Sequence, residues 1–281
     1  LPVGEPAFAA CITGMTKAAN LLSMKVGHER TNNPQRKLPT TNSWISCFDP
    51  VTAELLMICD GTLPTMYRTA AAAAVGARQL SRPDSRTLAV IGAGQLGREC
   101  LGAVAAVRPF TKIYVHDRFE DMARTLAKEL SGRVTAPIEV VSAEAACRAA
   151  DVIVTATNSR EPIVMSDWIR AGTHLSCMGA DLHDKIECEM TLLPRCRIFA
   201  DKVEHALLRG EVSQAVQKGI VGKDCYAGSL GEVINGAVGR RSADEITMFD
   251  GVGIGIQDTT IVRTIYDQAV KKGLGQRMAF S

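Results

Sequence analysis

The sequence predicts an α/β protein in which a doubly wound parallel sheet is accompanied by a smaller α+β lobe. From Thr87 onward, short apolar runs rich in Val and Ile alternate with helical stretches. Before Thr87 the pattern changes to a hairpin followed by an Ala-rich helix. Runs that are apolar on both faces and separated by helices are typical of a parallel sheet covered on both sides. Right-handed crossovers between such strands give a doubly wound domain.

Each element follows from local pattern. Six apolar runs predict the strands of the sheet, at 88–94, 112–117, 138–142, 151–157, 174–179 and 197–201. In the first part of the chain, runs 44–49 and 53–60 flank a hairpin-like break, and residues 64–80 have strong helix propensity. A last helix is expected from about Asp258 to Lys272. We expect residues 1–84, joined by 256–281, to form the smaller lobe and residues 85–255 to form the sheet domain.

Composition excludes several classes of protein. A net charge of +2 over 281 residues is too small for a typical nucleic-acid binder. The sequence has neither an apolar run of 18 residues nor a signal-peptide pattern, so we expect no membrane association. Nine scattered cysteines without a C-x-x-C pair indicate free thiols in a reducing cytoplasm rather than disulfides. Because no His, Cys or acidic residues cluster at metal-ligand spacing, we also expect no metal.

A glycine motif follows the first strand of the sheet and opens a helix. The stretch G-A-G-Q-L-G supplies G-x-G-x-x-G in its required context, with Gln95 and Leu96 between the last two glycines. Gly92 permits the tight turn, Gly94 lets the backbone approach a pyrophosphate, and Gly97 lets helix and strand pack closely. The motif predicts a Rossmann-type dinucleotide-binding domain, with the phosphates at the helix N-terminus.

An acid that could select the dinucleotide ends the next strand. Asp117 lies twenty residues after Gly97, where an acid binds the ribose diol of NAD and repels the extra phosphate of NADP. Arg118 follows directly and could soften that bias. The sequence therefore favours NAD(H), with NADP(H) as the alternative.

Ligands of doubly wound sheets bind at the carboxyl ends of the strands. Three predicted segments should therefore reach the nicotinamide. The first holds Thr155, Ala156 and Thr157, the second runs from Met178 to Asp181, and the third includes Gly253. An acid at a strand end beside the nicotinamide is placed for proton transfer, which makes Asp181 the candidate acid/base. The alternative for Asp181 is a solvated loop residue.

Two basic residues of the first lobe could hold a substrate carboxylate. Lys25 lies in an apolar, strand-like run, where a lysine is costly unless it is paired or functional. Arg68 lies at the start of the Ala-rich helix, and an arginine fork can bind a carboxylate with two hydrogen bonds. From pattern alone, a snorkelling lysine and a structural ion pair at Arg68 remain equally open.

The chain resembles the ornithine cyclodeaminase/μ-crystallin family over nearly its whole length. The resemblance rests on shared blocks in the same order, namely M-K-V (24–26), L-P-T (38–40), F-D-P-V-T-A-E (48–54), D-G-T-L-P-T-M-Y-R-T-A-A-A-A-A (60–74), the glycine motif, M-G-A-D (178–181) and F-D-G-V-G-I-G-I-Q-D (249–258). Members are NAD(P)-dependent homodimers, whose dimerisation lobe combines the N-terminal part with the last helix. The resemblance therefore implies a homodimer.

The same resemblance implies roles for individual residues. Lys25 and Arg68 would hold the α-carboxylate of an amino or imino acid, in a pocket lined by Thr40. Thr69 would help to seat the cofactor phosphates, and Asp181 would be the catalytic acid/base. The Pro-Gly-Lys that cyclising members carry after G-A-D is replaced here by Leu182-His183-Asp184-Lys185. The segment 27–39 and the closing motif look more like members that reduce imino acids.

Three functions fit these residues. The first is NAD(P)H-dependent reduction of the imine of a small 2-oxo acid, or its reverse, an amino-acid dehydrogenase reaction, with Asp181 and Lys25 as catalytic residues. The second is cyclisation of ornithine to proline with release of ammonia and catalytic NAD⁺. The third is a non-catalytic protein that binds NAD(P)H and a small ligand. A basic cluster near Lys25, formed by His28, Arg30, Arg36 and Lys37, could favour a second carboxylate on the substrate or be a solvated loop.

Overall fold

The structure is a computed structural model that describes residues 7–30, 33–39 and 41–278. By the packing of its Cα atoms the chain divides into two compact units. Unit 1 comprises the chain up to Arg68 and from Ile254 onward, and unit 2 comprises Thr69–Gly253. The first division falls at Arg68, inside the Ala-rich helix, whereas the sequence placed it after residue 84.

Unit 1 is a four-stranded antiparallel sheet that packs against the last helix. The strands, in sheet order, are β1 (Ala7–Thr16), β2 (Leu21–Arg30), β3 (Thr41–Phe48) and β4 (Leu55–Asp60). Helix α1 (Thr62–Leu80) follows, and α8 (Gly255–Lys272) packs on β1 and β2. Side chains alternate along β2 and β3, so one face of the sheet, with Leu21, Ile45 and Cys47, is buried with Val262 of α8.

Unit 2 contains an eight-stranded parallel sheet. Its strands are β5 (Thr87–Ile91), β6 (Lys112–His116), β7 (Ile138–Val140), β8 (Val152–Thr155), β9 (His174–Cys177), β10 (Cys196–Ala200), β11 (Tyr226–Ser229) and β12 (Ile246–Asp250). Its other helices are α2 (Gln95–Ala105), α3 (Glu120–Leu130), α4 (Ala143–Ala149), α5 (Val203–Arg209), α6 (Ser213–Gln217) and α7 (Leu230–Ile234). The order across the sheet is β11-β10-β12-β9-β8-β5-β6-β7. The predicted fold class, a doubly wound parallel sheet plus a smaller lobe, is confirmed.

Both faces of the parallel sheet are buried, as the apolar runs predicted. Along β5, Leu88 and Val90 belong to one hydrophobic cluster, whereas Ala89 and Ile91 belong to the other. The first cluster includes α1, α2 and α3, and the second includes α4 and α6. Because successive side chains of a strand point to opposite faces, helices cover the sheet on both sides. This arrangement leaves the carboxyl ends of the strands as the edge where loops can form a site.

Sequence reading missed two strands of this sheet and misplaced one helix start. The strand β12 is a fully buried run, I-T-M-F-D, that comes directly before a glycine-rich stretch. The strand β11, Y-A-G-S, lacks an apolar run. Helix α8 begins at Gly255, three residues before the predicted start, and a Cβ on this glycine would overlap the Thr13 carbonyl of β1. Within the described residues, no helix combines the length and apolarity needed to cross a membrane.

Candidate active site

The turn between β5 and α2 has the geometry that a close approach of phosphate requires. Gly92 has a φ of 103°, and a Cβ there would lie 2.5 Å from the carbonyl oxygen of Ala156. A Cβ on Gly97 would overlap the Gly92 carbonyl oxygen. At Gly94, which caps α2, a Cβ would meet nothing within 4 Å. The first turn of α2, which includes Gln95, has no acidic residue, so its amide groups and dipole favour an anion.

The carboxylate of Asp117 is fixed beside this turn. The amide of Ala93 donates to Oδ2 at 2.7 Å, and the amide of Phe119 donates to Oδ1 at 2.9 Å. The Arg118 guanidinium stacks on Phe119, 4.6 Å from the ring centroid. A cavity of about 370 Å³ opens here. Six of the predicted cofactor residues line it, namely Gly92, Gly94, Asp117, Arg118, Ala156 and Thr157.

A buried glutamate that sequence reading missed holds the next two strand ends together. Glu187 is fully buried, and its Oε1 accepts hydrogen bonds from the Thr157 amide at 2.7 Å and the Thr157 hydroxyl at 2.8 Å. Its Oε2 accepts from the Thr155 hydroxyl at 2.6 Å and the Gly179 amide at 2.9 Å. Thr155 therefore faces Glu187 rather than the cavity. Burial raises the pKa of Glu187, and its four donors oppose that shift.

The candidate acid, Asp181, lies just beyond the end of β9. Its side chain is half-exposed, and Oδ1 accepts a hydrogen bond from Lys185 Nζ at 2.9 Å. The same ammonium, which is buried, donates to Asn158 Oδ1 at 3.1 Å. Lys185 thus connects the loop after β9 to the loop after β8. Sequence reading noted Lys185 only as part of a family motif, because the contact with Asn158 depends on folding.

Two further buried carboxyl groups, those of Glu211 and Asp250, are linked to Glu187 by hydrogen bonds. Glu211 accepts from the amides of Glu187 and Cys188, at 3.0 and 2.6 Å. Asp250, the last residue of β12, accepts from the Glu211 amide at 3.1 Å and the Tyr226 hydroxyl at 2.6 Å. Burial raises the pKa of Glu211 well above its usual range and raises the pKa of Asp250 to about 7. This chain of acids ties β12 to the loops after β8 and β9.

The other seven predicted cofactor residues are in unit 2 but outside the residues that line the cavity. Met178 is buried, and its amide donates to the Thr155 carbonyl at 2.9 Å. Gly253 has a φ of 80°, and its amide donates to Asp201 Oδ2 at 2.7 Å. Thr69 is buried in α1. Leu96, in the first turn of α2, is partly buried against the core.

Unit 1 brings the two predicted carboxylate-binding residues together. Lys25 Nζ lies 2.9 Å from Asp258 Oδ1, and Arg68 Nε lies 3.1 Å from the same oxygen. Arg68 Nη1 also donates to Gln257 Oε1 at 3.0 Å. All three charged side chains are buried or nearly so, at 6, 10 and 1% exposure for Lys25, Arg68 and Asp258. Lys25 therefore does not snorkel. The third member, Asp258, was missed as a site residue.

The remaining predicted residues of this lobe are placed differently. His28 and Arg30 lie at odd-numbered steps along β2 from Lys25, so their side chains extend from the opposite face of the sheet. Arg36 and Lys37 are exposed. Thr40, the predicted pocket residue, lies outside the described residues.

Other reactive side chains in the described chain form no metal site. No group of three or more His, Cys, Asp or Glu residues is arranged to hold a metal ion among the residues that the structure describes. The nine cysteines are free. Cys177 and Cys188 are buried with their sulfur atoms 3.7 Å apart.

Comparison with known families decides what kind of protein has this arrangement. The profile of the ornithine cyclodeaminase/mu-crystallin family matches residues 13–273, which is nearly the whole chain. The chain belongs to this family.

Two curated members of the family are similar in sequence to the chain. The alanine dehydrogenase of Archaeoglobus fulgidus is 32% identical, over 92% of this chain and 80% of its own length. The iminosuccinate reductase of Paracoccus denitrificans is 33% identical, over 94% of this chain and 82% of its own length.

Solved structures of the family share the fold. An archaeal alanine dehydrogenase, a dimer with bound NAD, superposes with a TM-score of 0.91 at 31% identity, covering 98% of this chain and 89% of its own. The Thermococcus litoralis Δ1-pyrroline-2-carboxylate reductase, in complex with NADH and L-proline, gives a TM-score of 0.88 at 29% identity, with coverage of 97 and 90%. The P. denitrificans iminosuccinate reductase with NAD⁺ gives 0.91 at 32%, with coverage of 99 and 86%.

Proposed function

We propose that this chain is an NAD(H)-dependent oxidoreductase that reduces the imine of a small 2-oxo acid to an amino acid, or catalyses the reverse reaction. The observation that carries the proposal is the half-exposed Asp181 carboxylate, held by buried Lys185 at a strand end of a dinucleotide-binding sheet. The names of the similar proteins, an alanine dehydrogenase and an iminosuccinate reductase, support this reaction class.

The residues present fit a dinucleotide. Gly94 leaves room at the N-terminus of α2 for a pyrophosphate, and Asp117 presents a fixed carboxylate to a ribose diol. This carboxylate would repel the 2′-phosphate of NADP, so NAD(H) is the preferred cofactor and NADP(H) the alternative. The other proposed cofactor residues are Thr69, Gln95, Leu96, Gly97, Met178 and Gly253. Thr155, whose hydroxyl donates to Glu187, is proposed to support the site through that carboxylate. When bound, the nicotinamide supplies or accepts the hydride.

The protein supplies positioning and a proton. In the proposed reaction, Lys25 and Arg68 bind the α-carboxylate of the imino acid through charge-assisted hydrogen bonds. Asp181 donates a proton to the nitrogen as C2 is reduced, directly or through a water, and Lys185 stabilises the carboxylate that results. Thr40 is proposed to line the same pocket. In the reverse direction, Asp181 takes the proton from the amine.

An activity assay with a panel of candidate substrates tests this proposal. We would mix the protein with NADH, ammonia or methylamine, and a panel of 2-oxo acids, and include a cyclic ketimine. Oxidation of NADH that requires both the acid and the amine supports imine reduction. Release of ammonia from L-ornithine without net change in NADH would point instead to a cyclodeaminase. Tight NADH binding with no turnover in any arm would favour a non-catalytic binding protein.

We further propose that two copies assemble through the exposed face of the antiparallel sheet. Four large apolar side chains of this face are exposed, namely Met15, Val26, Trp44 and Ile58. An apolar patch of this kind commonly marks an interface, and one similar structure is described as a dimer. Sedimentation should give a dimer for the wild type and a monomer for Trp44→Glu; a monomeric wild type would refute the assembly. The free state of all nine cysteines suits the reducing cytoplasm, where we place the enzyme.

A further inference from the structure

Asp258, in the first turn of α8, stands between the two cations of unit 1. Its Oδ1 accepts from Lys25 Nζ at 2.9 Å and from Arg68 Nε at 3.1 Å. Both cationic nitrogens lie within hydrogen-bonding distance of the same oxygen. The distance between the two nitrogens therefore cannot exceed the sum of these two distances. Two positive groups this close repel each other strongly when they are buried. Asp258, which contacts both cations, offsets that repulsion.

The same helical turn fixes the orientation of the arginine. Gln257, the residue before Asp258, accepts from Arg68 Nη1 at 3.0 Å. The third guanidinium nitrogen, Nη2, takes part in none of the hydrogen bonds among the described residues. Residues 257 and 258 therefore hold two nitrogens of the fork in place and leave the third to meet another acceptor.

Packing of helix α8 alone does not explain why position 258 has an aspartate. Helix α8 is already anchored to β2 by the neighbouring Thr259, whose hydroxyl lies 2.8 Å from Ser23 Oγ. Asp258 Oδ2 is buried and has no hydrogen-bond partner among the described residues. A buried acceptor in that state calls for a reason other than packing, because an apolar side chain would fill the position without this penalty.

We propose that Asp258 is a positioning residue for the substrate: it holds Lys25 Nζ beside the Arg68 guanidinium, so that the pair forms a preorganised clamp for one carboxylate. This inference rests on the proposed function, in which Lys25 and Arg68 bind the α-carboxylate, and it adds the residue that makes them a unit. Asp258 acts through the two cations.

The test compares two adjacent substitutions in α8. Asp258→Asn removes the charge and keeps the size, whereas Thr259→Val removes the hydroxyl that anchors the helix and leaves the cations untouched. Binding of pyruvate, the simplest 2-oxo acid, is measured by calorimetry with saturating NAD⁺, and NADH binding is measured by fluorescence. We expect Asp258→Asn to raise the Kd of pyruvate about tenfold or more, with NADH affinity unchanged within about twofold. Thr259→Val should lower Tm without changing either affinity.

Each outcome decides the inference. A pyruvate affinity in Asp258→Asn that equals the wild type, or an equal loss in Thr259→Val, overturns it, as does a wild type that binds neither pyruvate, glyoxylate nor 2-oxoglutarate. If Asp258→Asn does not fold, Gln257→Leu, which removes the second support of Arg68, should weaken pyruvate binding by about threefold or more; unchanged binding there overturns the inference. A wild type that binds pyruvate through this clamp but never turns over imines would refute the proposed function alone.

Discussion

The ammonium group of Lys185 lies 2.9 Å from Asp181 Oδ1, and the two side chains differ in exposure, at 3% for the lysine and 49% for the aspartate. A buried cation that reaches an accessible carboxylate fixes the position of that carboxylate through a charge-assisted hydrogen bond. Asn158, which accepts from the same ammonium at 3.1 Å, keeps the lysine in place. Lys185 and Asn158 thus hold the Asp181 carboxylate in one place just beyond the end of β9.

Substitution of Asp181 should separate chemistry from cofactor binding. We expect Asp181→Asn to lower kcat for imine reduction by about 100-fold or more, because general acid catalysis typically contributes 10²–10⁴-fold. NADH should still bind, as measured by fluorescence. Asp184→Asn is the matched control, since Asp184 lies three residues away and pairs with Arg160 at 2.7 Å. Full turnover by Asp181→Asn, or an equal loss in Asp184→Asn, would contradict the assigned role.

Asp117 should govern the choice of cofactor. Asp117→Asn keeps one oxygen, which can accept from only one of the two backbone amides, and removes the charge that repels a 2′-phosphate. We expect the KM for NADH to rise about tenfold and the preference over NADPH to fall by a similar factor. Kinetics with both cofactors measure this. Asp121→Asn, on the exposed first turn of α3, is the control and should change neither constant. An unchanged preference in Asp117→Asn would place the ribose elsewhere.

The sequence predicted those features that depend on residues close to one another along the chain. The glycine turn, the six apolar strands and Asp117 were predictable because each has a local pattern. The contact between Lys25 and Asp258 joins residues 233 positions apart, so no spacing rule could reveal it. Glu187 looked like an ordinary loop acid, and only the fold brings Thr155, Thr157 and Gly179 onto its carboxylate.

Glu187 should be important for both stability and cofactor affinity. Glu187→Gln replaces one oxygen by an amide that faces donors, so at least one buried hydrogen-bond partner is lost. We expect the free energy of unfolding to fall by about 2–3 kcal/mol and NADH to bind more weakly, because Thr155 and Thr157 lose their anchor. Urea unfolding and NADH titration measure the two effects. In Glu161→Gln, at an exposed glutamate in the loop after β8, stability should change by less than about 0.5 kcal/mol. Wild-type stability in Glu187→Gln would mean that the carboxylate is protonated in the folded protein.

We expect His174 to lower the free energy of unfolding at acidic pH. Burial, followed by the charges of Arg240 and Arg108, lowers the pKa of this histidine to about 3 from its usual 6.5. Between these two values the unfolded chain binds a proton that the folded protein does not, so stability falls as pH drops from 6.5 towards 3. The full effect is on the order of 5 kcal/mol.

Removal of the imidazole should therefore flatten this dependence. His174→Gln keeps partners for Thr247 and Ser176, which lie 3.0 Å from the two ring nitrogens. Unfolding free energies at pH 7, 5.5 and 4.5 should change less in this variant than in the wild type, whatever its stability at pH 7. The exposed His28 supplies the control, His28→Gln, whose acid slope should match the wild type. An acid slope that His174→Gln leaves unchanged would assign the loss to other groups.

Two glycines of α2 provide a matched test of the dinucleotide turn. A Cβ on Gly97 would overlap the Gly92 carbonyl oxygen, whereas a Cβ on Gly102, five residues later in the same helix, meets nothing within 4 Å. Gly97→Ala should force α2 away from the turn, destabilise the protein by about 1–3 kcal/mol and weaken NADH binding at least tenfold, or about 1.4 kcal/mol. Gly102→Ala should instead stabilise the helix by up to about 1 kcal/mol and leave NADH affinity unchanged. Because both variants add the same methyl group to one helix, a loss of NADH affinity confined to Gly97→Ala can only come from the turn. Equal affinities in the two variants would mean that the phosphates do not bind at this helix.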